Sequence, residues 1–426
     1  MTPSPVSRLR QLRWRIALLL GVGVLVNYFD RVNLSVAVAQ IRDQFGLTTV
    51  AVGYLLSTYS WTYIALQLPC GPLLDSFGVK RIGRVSSFLW SIASFLAGAA
   101  TGFAGLVSAR LLLGIAEAPT FPANVKAIAA WFPPERRGLP SAVFDAAAKF
   151  ASAVGIPLVA IITYRWGWRI SFVVTGFLSL AYFALFWAVY RDPEQATSTT
   201  VIEPATEPPS SSSASVFYLL GCRKVWGLSL GMAAYNYNFY LFLTWLPSYL
   251  NASLHLSVLR SGFYTGVPWL AATASDLLVG GWLVDRLIRA GSNATLVRQA
   301  VLVIGLAMGL AIAGAARAPS PGVATAWISI ALCGLAATPP VAWAIAGLIA
   351  PRGSVARVGG IVNCVANIPG VLAPVITGYL VGETQSFVRA FLVAAAILVG
   401  GIASYVLLLG KIEPIRAPEK PPAAGL

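Results

Sequence analysis

Nine consecutive residues, Asn27-Tyr28-Phe29-Asp30-Arg31-Val32-Asn33-Leu34-Ser35, put an acid and a base inside an apolar run at 16–39. Each charge in such a run costs about 2.5–3.5 kcal/mol on insertion scales. Asn27, Arg31 and Ser35 recur every four residues and share one helical face, with Asp30 at its flank. Two readings compete: a buried structural salt bridge between helices, or a site for an anion and a proton. Ionisable groups inside a membrane mark transport pathways by default, which favours the second. Arg110 and Glu117 lie two turns apart on one face of a later run, with Gly114 between them leaving room and Asn124 extending the stripe. A guanidinium grips a planar carboxylate through two parallel hydrogen bonds, and an intramembrane carboxyl can carry a proton. The plain alternative is an Arg110–Glu117 pair that locks helices together. A third stripe, Ser141, Asp145, Lys149 and Ser152, also follows helical spacing, and there Asp145 and Lys149 could simply pair. Asp276 stands in another apolar run and receives no role from the sequence.

The elements that hold these groups must be membrane helices. The 426 residues are 57% hydrophobic and 11% charged, where soluble domains carry about 25% charged residues. Mean hydropathy is +0.75. The net charge of +15 does not imply nucleic acid, because the basic residues sit at the ends of apolar runs. Cys70, Cys222, Cys333 and Cys364 are scattered without paired spacing, so neither a disulfide framework nor a metal site is indicated. His255 is the single histidine and cannot form a cluster. The Arg-rich start runs into a span too long for a signal peptide and lacking a small-residue exit, so no cleavable signal is expected. No phosphate-binding loop, zinc-protease or EF-hand pattern occurs, which argues against a nucleotide-driven pump or a metalloenzyme. Asn251-Ala252-Ser253 is a sequon of a kind common by chance.

Apolar runs fall at 16–40, 50–74, 82–103, 105–131, 138–163 and 168–190, and again at 224–250, 261–285, 297–316, 322–350, 356–382 and 386–410. The expected organisation is a basic tail at 1–15, a six-helix bundle at 16–190, a linker at 191–222, a second six-helix bundle at 223–410 and a tail at 411–426. Pro204, Pro208, Pro209 and Ser210 to Ser213 mark the linker as flexible. With the N-terminus in the cytoplasm, twenty of the 30 Lys and Arg fall in inner segments, six in outer segments and four within spans. That bias puts both termini inside. The halves also repeat. Gly71-Pro72-Leu73-Leu74-Asp75 returns as Gly281-Trp282-Leu283-Val284-Asp285, each ending a second span before basic residues. Parallel repeats place a site at their interface near the midplane.

With these motifs in hand, the chain resembles the major facilitator superfamily. Gly71, Asp75, Gly78, Lys80 and Arg81 are similar to its loop motif between the second and third spans, with a degenerate copy through Asp285, Arg286 and Arg289. Within the superfamily, Tyr28-x-Asp30-Arg31-x-Asn33-x-Ser35 and Arg110 through Pro119 with Phe121-Pro122 resemble signatures of the anion:cation symporter family. Trp131-Phe132-Pro133 and Glu135-Arg136 close the fourth span in the same manner. The nearest likeness is to bacterial sugar-acid symporters of the galactonate and hexuronate kind.

The resemblance implies an all-α membrane protein of twelve helices in two pseudo-symmetric bundles, taking up an organic anion with protons by alternating access. It implies a monomer in the cell membrane that needs no cofactor. Carried over residue by residue, it makes Asp30 and Glu117 the proton-coupling pair. Arg31 becomes the first anion-binding group, with Arg110 as a switchable partner of the acids. Tyr28, Asn27, Tyr63, Gln67, Trp343, Asn363 and Asn367 resemble the lining of a sugar-acid pocket, with ordinary helix packing as the alternative. Tyr235 to Asn238 in the seventh span occupies the place of Asn27 to Asp30 but lacks its charge. The loop motif implies a gate, with Asp75 capping the next helix and Arg136 as a partner, while Lys126 is expected to snorkel. Lys149 departs from the family, whose sugar-acid members carry an uncharged residue there. It could meet a second carboxylate, which keeps an aromatic or dicarboxylic acid carrier open, as well as an anion exchanger. A membrane receptor or enzyme is the reading from another class, and no signalling domain or catalytic constellation is visible for it.

Overall fold

In lipid every backbone amide and carbonyl must find its partner within the protein, so apolar runs of this length form helices. The computed structural model bears this out over residues 5–132, 138–192, 214–351 and 354–416, which are the residues described. Spans 1 to 6 run through Pro5–Phe45, Thr49–Ala99 (two spans), Phe103–Glu117 with Thr120–Trp131, Gly138–Trp166 and Trp168–Val189. Span 7 is Arg223–Leu254, and span 8 joins Val258–Ser275, a π-helical stretch Asp276–Leu283 and Val284–Arg289. Spans 9 to 12 follow as Ala294–Gly309 with Ile312–Ala315, Pro321–Ala336 with Thr338–Ile349, Val355–Asn367 with Pro369–Thr384, and Val388–Ser404 with a π-helical end Tyr405–Leu409.

Among the described residues, ten segments are long and apolar enough to cross a membrane. The other two of the twelve crossings, the first part of Thr49–Ala99 and all of Arg223–Leu254, are more polar. The former carries Ser57, Thr58, Ser60, Thr62 and Gln67, and the latter carries Asn236, Asn238 and Thr244. Much of this polarity is turned inward, as Ser57, Thr58, Ser60, Asn238 and Thr244 are buried.

Starts and stops follow local chemistry. Thr48, Ser257 and Ser320 cap their helices by accepting a backbone N–H, and Asn293 accepts two. Gly167, at φ 81°, turns the chain between spans 5 and 6. The expected loop between spans 2 and 3 is helical instead. It breaks only at Gly78, whose φ 75° and ψ 162° suit glycine alone. The expected linker lies mostly outside the described residues, but its last part is docked. Ser215 caps the short helix Val216–Leu220, Ser354 Oγ accepts from Ala214 N at 2.9 Å, and Tyr218 Oη donates to Arg416 O at 2.8 Å.

Among the described residues, the halves meet chiefly through three pairs of spans: 1 with 7, 2 with 11 and 5 with 8. Small residues let the backbones touch. A Cβ on Gly53 would come within 2.7 Å of Pro374 O, and one on Gly266 within 2.7 Å of Ala153 O. Beside the first contact, the hydroxyls of Tyr54 and Tyr379 lie 3.1 Å apart.

Candidate functional site

The charged residues of spans 1 and 4 converge. Span 4 is pinned to span 2 where Thr62 Oγ1 donates to Leu111 O at 2.8 Å. A Cβ on Gly114 would collide with Tyr59 O and Thr62 Oγ1, so the room it leaves admits span 2 rather than a ligand. Span 4 then breaks at Ala118-Pro119. There Ala116 O accepts from Trp90 Nε1 at 3.0 Å and from Ser86 Oγ. These bonds fix the last turn before the break, where Glu117 stands.

Glu117 pairs with Arg31. Arg31 Nε lies 2.9 Å from Glu117 Oε2, and both side chains are buried. The guanidinium is ringed by Tyr28, Tyr59 and Tyr63, with its carbon 4.6, 4.7 and 5.1 Å from their ring centroids. Desolvated cation–π contacts of this kind contribute about 2 kcal/mol or more. Asp30 does not pair with Arg31. Neighbours in a helix project about a quarter-turn apart and do not face each other. Asp30 accepts from Ser94 Oγ at 2.6 Å and from Ser179 Oγ at 2.7 Å, on spans 3 and 6. Arg110 does not bond Glu117 either, and instead donates from Nη1 to the backbone carbonyl of Asp30 at 3.1 Å. Arg31 Nη2, Arg110 Nε, Glu117 Oε1, both polar atoms of the Asn27 amide and Asn124 Nδ2 are buried with no hydrogen-bond partner among the described residues. Asn33 binds Ser171 and Thr175, and Ser35 bonds back to Val32 O, so both serve packing.

A second cluster spans the interface. Lys149 Nζ lies 2.9 Å from Asp145 Oδ2 and 2.7 Å from Asp276 Oδ2. Lys149 and Asp276 side chains are 4% exposed and Asp145 is 32% exposed, so only Asp145 gives the cluster an open side. The expected Asp145–Lys149 pair is present, and Asp276 joins it from the other half. Sequence reasoning missed that partner, since no periodicity links spans 5 and 8. Its one signal was an acid alone in an apolar run.

The remaining expected residues divide. Asn363 Nδ2 donates to Gln67 Oε1 across the halves at 3.2 Å, and Asn367 and Tyr240 extend the chain. Trp343 is 40% exposed and makes no hydrogen bond among the described residues. Asn236 donates to Ala366 O and Asn238 to Ala234 O and Ala394 O, so their amides tie helices together. In the loop motif, Gly71 and Arg81 are exposed. Arg84 stacks on Trp187 at 3.8 Å, and Arg286 stacks on Trp282 at 5.0 Å beside an exposed Asp285. Lys126 donates to Leu74 O at 2.9 Å, holding the end of span 2. The side chains of Asp75 and Ser141, and residues Pro133, Glu135 and Arg136, lie outside those described.

Twelve helices in two halves around buried charges define a transporter fold. The model of the Major Facilitator Superfamily matches residues 20–337, and the chain belongs to that superfamily of multi-pass membrane transporters. It is 38% identical over 427 residues to "Uncharacterized transporter YybO" of Bacillus subtilis (strain 168), covering 98% of each chain. It is 31% identical over 425 residues to "Probable galactarate/D-glucarate transporter GarP" of Escherichia coli (strain K12), covering 94% of this chain and 95% of that one. Among solved structures, a bacterial homologue of the human lysosomal transporter Spinster, inward-facing and unoccupied, superposes with a TM-score of 0.77. That match covers 93% of this chain and 97% of that one at 18% identity, which shows the shared fold.

Proposed function

We propose that the protein is a proton-coupled symporter of a small organic anion, a sugar acid, working by alternating access in the cell membrane. The observation that carries the reading is the half-satisfied Arg31 guanidinium. Its Nε is held by Glu117 while Nη2 has no partner, inside a ring of three tyrosines. A buried donor left unsatisfied costs about 1–3 kcal/mol. A carboxylate is the ligand this fork accepts best. The same arginine thus links the acid that would carry a proton to the anion that would be carried. Protonation of Glu117 weakens its hold on Arg31, the substrate carboxylate takes its place, and binding favours rocking of the halves. Asp30, set among Ser94 and Ser179, is the second proton carrier, and Arg110 ties its backbone to span 4.

A specific substrate class is favoured by the relative named as a galactarate/D-glucarate transporter, whose named substrates carry a carboxylate at each end. Uptake of galactarate into liposomes holding the purified protein tests the reading. With the interior made alkaline, galactarate should accumulate above its outside concentration, and a protonophore should abolish the excess. Entry that stops at equal concentrations with the gradient intact would remove proton coupling, and no entry of any sugar acid would remove the substrate class.

A further inference from the structure

Lys149 is held by two acids from two different halves. Asp145 shares its helix, one turn away, and stays partly exposed. Asp276 reaches over from span 8 and is buried with the lysine. Asp276 opens the π-helical stretch Asp276–Leu283. Such stretches are rare and occur frequently at functional sites, because the extra residue re-aims the side chains around it. Below Asp276, a Cβ on Gly280 would meet Ala337 O at 2.8 Å, so span 8 is also seated closely on span 10. The bridge therefore joins span 5 of one half to a span fixed within the other.

We propose that Asp276 is a built-in surrogate for a substrate carboxylate: it occupies Lys149 in the empty transporter, and the second carboxylate of a dicarboxylic sugar acid displaces it. An ammonium has three donors and no acceptor. With Asp145 retained on one donor, Lys149 can exchange Asp276 for a ligand carboxylate without losing its local partner. The exchange breaks a contact between the halves at the moment the substrate is bound. A monocarboxylate that engages Arg31 has no second group to make the exchange, so it leaves the bridge intact. Asp276 is thus a specificity-determining residue, and Lys149 is the cation it guards. The inference rests on the reading of the Arg31 site as an anion site.

Binding of galactarate and galactonate to the full-length protein in detergent, by titration calorimetry, separates the two ideas. The wild type should prefer galactarate, which has two carboxylates, over galactonate, which has one. In Lys149→Gln the preference should vanish through a fall in galactarate affinity of about tenfold or more, the scale of one lost hydrogen bond to a charged group. Lys149→Arg, which keeps the charge, should keep the preference. In Asp276→Asn the competitor is weakened, so galactarate should bind more tightly while galactonate is unchanged. A purely structural bridge would lower thermal stability in both Lys149→Gln and Asp276→Asn and leave the ratio of affinities where it was, which overturns the proposal. Galactonate binding with an unchanged ratio sinks this inference alone, whereas binding of neither acid to the wild type sinks the anion-site reading and this inference with it.

Discussion

Arg31 and Asp30 are adjacent in the chain and part company in space. The charges themselves were legible, because an acid and a base in an apolar run stand out on any reading. Their partners were not, because a pairing between residues on separate helices leaves no mark in the spacing of either. Arg31 goes to Glu117 and Asp30 to two serines. The separation matters for mechanism: each acid has its own neighbours, so one can lose or gain a proton without the other losing its contacts. Glu117→Gln isolates that point, since the amide keeps the side chain's shape and can still accept from Arg31 Nε but cannot release a proton. In the expected outcome, exchange of labelled sugar acid between the two sides of a liposome membrane continues. Uphill accumulation driven by a gradient of about one pH unit falls about tenfold, because one coupled proton crossing such a gradient supplies about 1.4 kcal/mol. Normal uphill accumulation in this variant would take Glu117 out of the coupling step.

At the scale of elements, the helices and their order were readable from apolar runs, capping residues and prolines. What escaped was where helices touch. The polar residues of spans 2 and 7 stand out in the sequence, but the helix each one reaches does not: Gln67 meets Asn363 of the opposite half, whereas Asn236 and Asn238 bond to spans 11 and 12 of their own half. The loop motif read as a loop, yet continuous helix carries it as far as Gly78. Close approach of span 2 to span 11 depends on Gly53, where a larger side chain must push into Pro374 O and Gly378. Gly53→Leu is therefore expected to hold these ends apart. Spin labels on the ends of the two spans, read as a distance distribution by pulsed electron resonance, should show a shift to longer separations than in the wild type, with slower uptake. An unchanged distribution would mean that the seam yields elsewhere and that Gly53 is not what sets the approach.

For the whole molecule, we infer from the charge bias that the seam at Gly53, Gly378 and the Tyr54–Tyr379 pair belongs to the outer face. With both termini in the cytoplasm, span 2 runs inward and span 11 runs outward, so the paired ends that touch are outer ends. The transporter is then closed to the outside and set to release inward. Twenty basic residues against six carry that orientation, a distribution that the membrane potential and insertion machinery impose on loops rather than on the fold. Two exposed residues on opposite loops test it. Ser292 lies between spans 8 and 9, on the inner side in this orientation, and Pro319 lies between spans 9 and 10, on the outer side. In a variant stripped of Cys70, Cys222, Cys333 and Cys364, Pro319→Cys should react with a membrane-impermeant maleimide in intact cells. Ser292→Cys should react only after the membrane is opened. The reverse pattern would invert the molecule, make the Gly53 seam a cytoplasmic closure, and turn the arrangement of the halves into one open to the outside, with the Arg31 site and the Lys149 bridge unchanged in geometry but loaded from the opposite face.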